Sequence, residues 1–378
     1  MKHDRQHEPL IHITARGPRA WYFGMAVRAA AIVSAVLVCA LLTWLVTGSD
    51  PIRFAESVFK ASFNFEANMF EHRFWPMTYG LAILLMLSVA VTPAFRMRFW
   101  NIGAEGQTLV GCLATAICMK YFAGAMPNWL IIVCSVICAM AAGALWGLIP
   151  AAFKAWFGTN ETLFTLMMNY IAMRVVAIFW VIWKGPKSTM DMINQEGPLR
   201  GAGWLPQIYN EYLLILIIAV LSAFFMAVYL NRSKHGFEIS VVGESPRTAN
   251  YLGIHVRWVT IRTMILSGAL CGLTGMLITS GHDRLIGENM VGGRGFTAVM
   301  VSWLAKFNPV IMIFASFLIV FLQRGAKEVN TTISVNESYS DILIGIILFF
   351  IIGSEFFIRY RICLRHRRAP LKGGLTHV

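Results

Sequence analysis

Trp129-Leu-Ile-Ile-Val-Cys-Ser-Val-Ile-Cys-Ala-Met-Ala-Ala-Gly-Ala-Leu-Trp-Gly-Leu-Ile-Pro-Ala-Ala152 runs for 24 residues without a charged side chain. A helix needs about 20 such residues to cross the roughly 30 Å of hydrocarbon in a bilayer. Only a helix or a closed barrel satisfies its backbone there. A barrel strand would alternate polar and apolar residues over about 10 positions, and this stretch does not. Ala26–Thr47 and Leu213–Leu230 read the same way. The composition agrees. Of 378 residues, 57% are hydrophobic and 13% charged, about half the charge of a soluble domain. Too little polar surface is left to cover a water-facing fold. The fold class is all-α, a polytopic helical bundle.

About ten spans can be placed, with cores at 26–47, 77–94, 106–123, 129–152, 162–183, 212–230, 260–280, 292–305, 309–323 and 340–358. The net charge of +13 raises the question of nucleic acid, but the basic residues sit in short loops and at the chain ends. With the N-terminus in the cytoplasm and strict alternation, inside segments carry +13 and outside segments −1, with Arg174 left within a span. That asymmetry is the positive-inside bias, and it gives N-in and C-in. The span at 292–305 follows from parity. The segment 231–258 and the tail with Arg359, Arg361, Arg365, Arg367, Arg368 and Lys372 both read as cytoplasmic, so an even number of crossings separates them. Gly292–Ala305 is too short to span alone and is expected to be a broken or re-entrant segment shielded from lipid; a tilted helix trimmed too tightly is the alternative. Broken helices often line substrate paths.

The organisation that follows is a basic cytoplasmic tail at 1–25, a membrane domain at 26–358 with a cytoplasmic loop at 231–258, and a basic cytoplasmic tail at 359–378. The first apolar run exceeds the 7–15 residues or so of a signal-peptide core and reads as an uncleaved span. The seven cysteines lie mostly in apolar runs and form no C-x-x-C pair, so they read as packing residues. His3, His7 and His12 read as a solvated tail. Two outside loops are long enough to hold structure: 48–76, mixing acids and aromatics, and 184–211, whose prolines and glycines suggest a lid or docking surface.

Three stretches carry polar chemistry. In Arg96-Met-Arg-Phe-Trp-Asn-Ile-Gly-Ala-Glu-Gly-Gln107, Asn101, Glu105 and Gln107 are costly near hydrocarbon and need partners; function and helix-start capping are both open. In Asn160-Glu-Thr-Leu-Phe-Thr-Leu-Met-Met-Asn-Tyr-Ile171, Asn160 can cap a helix whose first turn favours Glu161. Asn169 lies deeper, where an amide usually bonds across helices. Arg174 is deeper still, and an ionisable residue there is a functional hypothesis by default. Phe164, Tyr170, Phe179 and Trp180 are either an aromatic wall beside it or ordinary lipid-facing and core residues. In the third stretch, Gly243 stops one element, Ser245 and Pro246 are N-cap and first residue of a short helix, and Gly253 ends it. A rigid helix of about two turns on a cytoplasmic face suits docking into a partner's groove; most plain connectors are shorter. Gly143-Ala-Leu-Trp-Gly147 and Gly268-Ala-Leu-Cys-Gly272 imply tight helix packing. Gly293-Arg-Gly-Phe-Thr-Ala298 matches a dinucleotide fingerprint but lacks the βαβ setting. No G-x-x-x-x-G-K-[ST] occurs and no catalytic constellation stands out, so any ATP that drives the chain binds elsewhere.

With those stretches in hand, the chain resembles the permeases of the branched-chain amino acid, ribose and nucleoside group of ATP-binding-cassette importers, and most closely the longer nucleoside permease of systems served by basic-membrane-protein-type lipoproteins. Asn101-Ile-Gly-Ala-Glu-Gly-Gln107 is similar to the group's N-I-G-x-E-G-Q, Asn160–Ile171 to N-E-x-x-x-T-L-M-L-N-Y-I, Val242–Ile254 to V-G-E-N-P-x-A-A-x-Y-A-G-I, and Gly293-x-Gly-Phe-Thr-Ala-Val299 with Asn308-Pro309 to a late G-x-G-F-x-A-I-A-V…N-P segment. The resemblance covers about 77 to 355. It implies a multi-pass subunit of a bacterial inner membrane, working with a second permease, a cytoplasmic ATPase that carries the ATP and Mg, and an external solute-binding protein. It implies no cofactor on this chain, no nucleic acid, and a nucleoside or related heterocycle as cargo. Gly243, Glu244, Ser245, Pro246, Arg247, Ala249 and Gly253 would couple to the ATPase. Asn101, Glu105, Gln107, Glu161, Asn169, Arg174 and Phe296 are the expected substrate path. The sequence departs from the pattern at Ser245, Thr248, Arg174 and Val301-Ser-Trp-Leu-Ala-Lys306. A cation at Arg174 or Lys306 would favour an acidic or carbonyl-rich heterocycle. The competing readings are a sugar-type permease and an ion-coupled carrier. The carrier would need carboxylates in mid-membrane, whereas Glu105 and Glu161 are expected near span ends.

Overall fold

The apolar runs fold as helices, and the polar punctuation between them sets the breaks. The structure, a computed structural model, describes residues 11–17, 21–48, 50–61, 69–184, 193–195, 199–333 and 337–364. His3, His7, the tail beyond residue 364 and parts of the loops 48–76 and 184–211 lie outside these residues. In chain order the elements are β1 (Ile11–Ala15), α1 (Trp21–Thr47), α2 (Pro51–Lys60), α3 (Met69–Arg96), α4 (Ala104–Tyr121), α5 (Asn128–Phe157), α6 (Glu161–Lys184), α7 (Leu213–Arg232), α8 (Lys234–Glu244), α9 (Pro246–Tyr251), α10 (Val256–Met276), which runs on as a π-helical segment at Leu277–Asp283, α11 (Arg294–Leu304), α12 (Pro309–Ile333), α13 (Glu337–Arg359) and β2 (Tyr360–Leu364). Among the described residues, eight helices are long and apolar enough to cross a membrane: α1, α3, α5, α6, α7, α10 with its π segment, α12 and α13. The protein is a multi-pass helical membrane protein.

The chain divides into two compact units. One comprises residues 1–57 and 326–378. Here α1 and α13 run antiparallel. Arg28 pairs with Glu355 at 3.2 Å near one end, and the Tyr339 hydroxyl donates to Thr43 Oγ1 at 2.9 Å near the other. Leu37, Leu41 and Trp44 on α1, and Phe349, Ile352 and Phe357 on α13, are exposed, as lipid-facing residues would be. The strands preceding α1 and following α13 pair antiparallel, from Ile11 opposite Leu364 to Ala15 opposite Tyr360.

The second unit comprises residues 58–325. Its central helix is α3, whose span is almost wholly buried, whereas less than a third of the α5, α6 and α7 spans is buried. The outward faces of α5, α6 and α7 are apolar, with Ile137, Leu145, Ile178, Ile182, Leu221 and Phe224 exposed. Ser88, Thr92, Asn101, Glu105, Gln107 and Asn169 are fully buried. The interior is mainly apolar with these polar groups set into it, and it is the apolar outer face that sets the bundle apart from a soluble protein. The glycine pairs read from the sequence pack as expected. A Cβ on Gly143 would run into the carbonyl of Gly268, and one on Gly272 into the carbonyl of Ala139, so the α5 and α10 backbones touch. Without a hydrophobic driving force between helices, such close approach supplies the attraction.

The expected short span at 292–305 is an 11-residue helix, α11. At about 1.5 Å per residue it reaches roughly half-way across hydrocarbon. It starts at Gly292 and Gly293, both at positive φ, and is followed by Lys306 and Phe307, also at positive φ. It packs along α3, where the Ser302 hydroxyl donates to the Ser88 carbonyl at 2.7 Å.

Candidate functional site

Beyond Arg96 the chain turns at Arg98 (φ +60°) and enters the bundle before α4 begins. Asn101 holds this entry. Its Oδ1 accepts from Gly103 N at 3.0 Å and from Gln107 Nε2 at 3.3 Å, and its Nδ2 donates to Ser267 Oγ on α10 at 3.2 Å. Asn169 of α6 completes the frame. Its Oδ1 accepts from Gly106 N at 2.9 Å, and its Nδ2 donates to the Ile102 carbonyl at 2.9 Å. Gly106 must be glycine, because a Cβ there would lie 2.9 Å from the Asn169 backbone. The start of α4 thus stands level with a residue about two turns into α6. An unpaired amide at such a position would cost its full desolvation, so each group is paired within the chain.

Glu105 projects from this frame onto the start of α11. One carboxylate oxygen accepts from Gly293 N at 2.8 Å and the other from Gly295 N at 2.7 Å. It therefore caps a helix 188 residues away, not its own. The first amides of a helix lack internal partners and carry the positive end of its dipole, which is where a buried carboxylate is best placed. Gly295 lets the two backbones meet; a Cβ there would lie 2.6 Å from Glu105 N.

A second polar group surrounds the π-helical segment. His282 packs against the rings of both Tyr79 (4.7 Å) and Tyr212 (5.1 Å), which also touch each other, and its Nδ1 is 3.0 Å from Glu211 Oε1. Arg284 donates to the other Glu211 oxygen at 2.8 Å and lies over the Trp204 ring at 4.2 Å. The loop 199–212 closes over this end. Its Leu205 N donates to the Ser280 carbonyl at 3.0 Å, and Ser280 Oγ donates to the Gly203 carbonyl. Asp283 sits beside Tyr79 and faces Arg294. A π-helical segment is rare and frequently marks a functional position.

The third feature is α8 with α9. Ser245 Oγ accepts from Thr248 N at 3.2 Å, Pro246 opens α9, and Gly253 (φ +75°) follows its end, all as read from the sequence. Gly243 stands one residue before the end of α8, close to the stop read from the sequence, and has a second role. Its missing Cβ makes room for the Arg96 carbonyl. Ala249 is buried, while Arg247 and Glu244 are exposed and Tyr251 is 92% exposed. Glu161, expected along the cargo path, belongs to this end of the molecule. It pairs with Lys154 at 2.7 Å and lines a cavity of about 280 Å³ with Arg98, Gly243, Glu244 and Pro246.

Residues 75–352 match the family described as "Branched-chain amino acid transport system / permease component". The chain belongs to this permease family. Similar curated proteins include the guanosine ABC transporter permease NupP of Bacillus subtilis, 33% identical over 73% of this chain and 79% of that one. The nucleoside ABC transporter permease NupB of Lactococcus lactis is 31% identical over 72% and 77%. A second guanosine permease of the same Bacillus, NupQ, is 28% identical over 59% and 72%. The permease is therefore an ATP-binding-cassette transport subunit rather than an enzyme. Among its expected path residues, Asn101, Glu105, Gln107 and Asn169 come together, each 1% exposed or less. Phe296 is on the first turn of α11 and 38% exposed. Arg174 stands apart. Its side chain is 79% exposed and pairs with Glu288, 52% exposed, at 3.2 Å. Phe164 stacks on Phe153, and Tyr170 is exposed, so those rings build no wall around Arg174. Sequence reasoning passed over Tyr79, Thr279, Asp283 and Arg294. The one signal that brackets Asp283 and Arg294 is the break between spans at Gly292-Gly293.

Proposed function

We propose that this permease subunit passes a nucleoside or related purine or pyrimidine heterocycle inward across a bacterial inner membrane by alternating access, driven by a separate ATPase that holds ATP and Mg. The observation that carries the cargo class is the similarity to permeases named for guanosine and for nucleosides. The ATPase docks on α9, through Gly243, Glu244, Ser245, Pro246, Arg247, Ala249 and Gly253. The rigid cap at Ser245, the buried Ala249 and the exposed Arg247 and Tyr251 support that role. A second permease subunit completes the path, as the two guanosine permeases of one Bacillus suggest, and an external solute-binding protein delivers cargo. Asn101, Gln107 and Asn169 hold the start of α4, and Glu105 the start of α11, so that the path between them keeps its shape.

The same reading gives ten crossings, both ends inside, a membrane domain at 26–358, a cytoplasmic loop at 231–258 and basic cytoplasmic tails at 1–25 and 359–378. The β1–β2 pairing supports it independently of charge, because paired strands must lie on one side of the membrane. The number of crossings is then even. Eight long helices and α4 make nine, so α11 with its flanking loops supplies the tenth.

The test is reconstitution of this chain with its second permease, ATPase and loaded binding protein in liposomes, followed by uptake of labelled guanosine, uridine and glucose. ATP-dependent nucleoside uptake that stops with an inactive ATPase is the expected result. Glucose uptake without nucleoside uptake overturns the cargo, and uptake that ignores ATP but follows a proton gradient overturns the mechanism.

A further inference from the structure

Buried polar atoms are nearly always paired, and each exception asks for an explanation. In this chain the exceptions cluster. Twelve buried side-chain polar atoms among the described residues have no hydrogen-bond partner, and five of them belong to Tyr79, Asn210, Thr279, Arg284 and Arg294. These residues come from four segments distant in sequence: α3, the loop 199–212, the π-helical turn with Arg284 after it, and the start of α11. The Tyr79 side chain is 5% exposed and Thr279 fully buried, so water from the surface does not satisfy them. The Arg294 guanidinium lies 5.7 Å from the centre of the Tyr79 ring, and its Nη1 is one of the unpartnered donors. Asp283 faces both. Arg294 is also the first residue of the half-helix α11, so the cluster adjoins the break in the helix.

We infer that Tyr79, Thr279, Asp283 and Arg294 form a polar cargo station of this subunit, built for an uncharged solute that carries neighbouring hydroxyls and a ring carbonyl. The hydroxyls of Tyr79 and Thr279 can each donate or accept, the Arg294 Nη1 donates to a carbonyl, and the two oxygens of Asp283 accept from a pair of hydroxyls. The positive and negative groups balance, which suits a neutral solute better than an anion or a cation. The rings of Tyr79 and Tyr212 add flat apolar surface at the same place. A ribonucleoside carries all three features, and the assignment to that class rests on the function proposed above. Arg294, rather than the exposed Arg174, is then the cation that meets a carbonyl-bearing base.

Tyr79→Phe and Thr279→Val remove one oxygen each with little change of shape, and Asp283→Asn removes the charge. Thr263→Val is the matched control, because the Thr263 hydroxyl is also buried and unpartnered but belongs to the opposite half of α10. The reconstituted four-component transporter is assayed with saturating loaded binding protein for guanosine uptake and for ATP hydrolysed without cargo. The first two variants are expected to import about 3- to 10-fold more slowly, the range of one lost hydrogen bond, with unchanged assembly and cargo-free ATP hydrolysis. Thr263→Val should match wild type. Asp283→Asn should also erase any preference of the wild type for guanosine over 2′,3′-dideoxyguanosine that exceeds the preference of the binding protein alone. Wild-type rates in both hydroxyl variants, or an equal loss in Thr263→Val, overturn the station. Should the wild type import glucose and no nucleoside, the nucleoside assignment falls, and the same variants assayed with glucose decide the station separately.

Discussion

Replacing Glu105 by Gln tests the central geometric claim, that a buried carboxylate holds the start of a broken helix. Both carboxylate oxygens accept backbone amides, from Gly293 at 2.8 Å and Gly295 at 2.7 Å. Glutamine keeps one acceptor and turns the other into a donor facing an N–H. The variant loses one charge-assisted bond and leaves one amide without a partner. A hydrogen bond to a charged group contributes about 1.5–3 kcal/mol, and a charge near a helix N-terminus adds about 0.3–1 kcal/mol. Taking about 2–3 kcal/mol for the sum, local opening of the first turn of α11 rises roughly 30- to 150-fold. Hydrogen exchange on the assembled transporter reads this directly, as faster deuteration of peptides covering 291–297, with peptides from α5 unchanged. Guanosine uptake should fall alongside. Equal protection of 291–297 in variant and wild type would refute the claim that the carboxylate, rather than packing along α3, fixes the start of α11.

Asn169→Ala strips partners from the Gly106 amide and the Ile102 carbonyl and should cost about 2–4 kcal/mol, seen as a lower melting temperature of the purified complex. Gly272→Leu puts a side chain into the Ala139 carbonyl, where even a well-placed excess of volume costs about 1–3 kcal/mol; loss of folded protein by size-exclusion chromatography is the expected outcome. Ser245→Ala removes the α9 cap, worth about 1 kcal/mol. It should weaken association with the ATPase, measured by co-purification, while leaving the fold of the membrane helices intact by circular dichroism. Arg174→Leu breaks the pair with Glu288 and should leave uptake of neutral nucleosides at the wild-type rate.

Local chemistry was legible and distant pairing was not. The cap at Ser245, the proline that opens α9 and the glycine at positive φ after it are all decided within nine residues, so the sequence alone predicts them. The touching glycines of α5 and α10 announce themselves by spacing. Arg174 illustrates the opposite limit. Its place along α6 is correct, but a one-dimensional count does not say which side of a helix faces the bundle, and this one faces out to Glu288. Glu105 was placed near a span end because the apolar run begins after it. The loop before α4 already lies inside the bundle, anchored by Asn101 to Ser267, so the first residues of that helix are as buried as its middle. Gly243 is read as a helix stop and stands one residue from the end of α8, but it is also a point of contact with the Arg96 carbonyl, which the sequence cannot announce. Tyr79, Thr279 and Arg294 converge from three separate elements, and none belongs to a recognisable motif.

The burial of Glu105 reopens the rival reading and then closes it on different grounds. An ion-coupled carrier needs a carboxylate deep in the membrane that takes up and releases a proton or cation as it works. Glu105 stands in the first turn of α4, near a span end as the sequence predicts, but it is buried within the bundle. Its two oxygens are already committed to the amides of Gly293 and Gly295, with Gly295 pressed too close for any side chain. A proton arriving at either oxygen would weaken one of those bonds, and a cation would have to displace the start of α11. Cycling the carboxylate would therefore mean unseating a helix on every turnover. A group held in that way serves as a fixed joint about which neighbouring elements move, and the energy for the movement has to enter elsewhere. The exposed face of α9, with the Glu161–Lys154 pair and the cavity at its base, is where this chain offers a partner a grip.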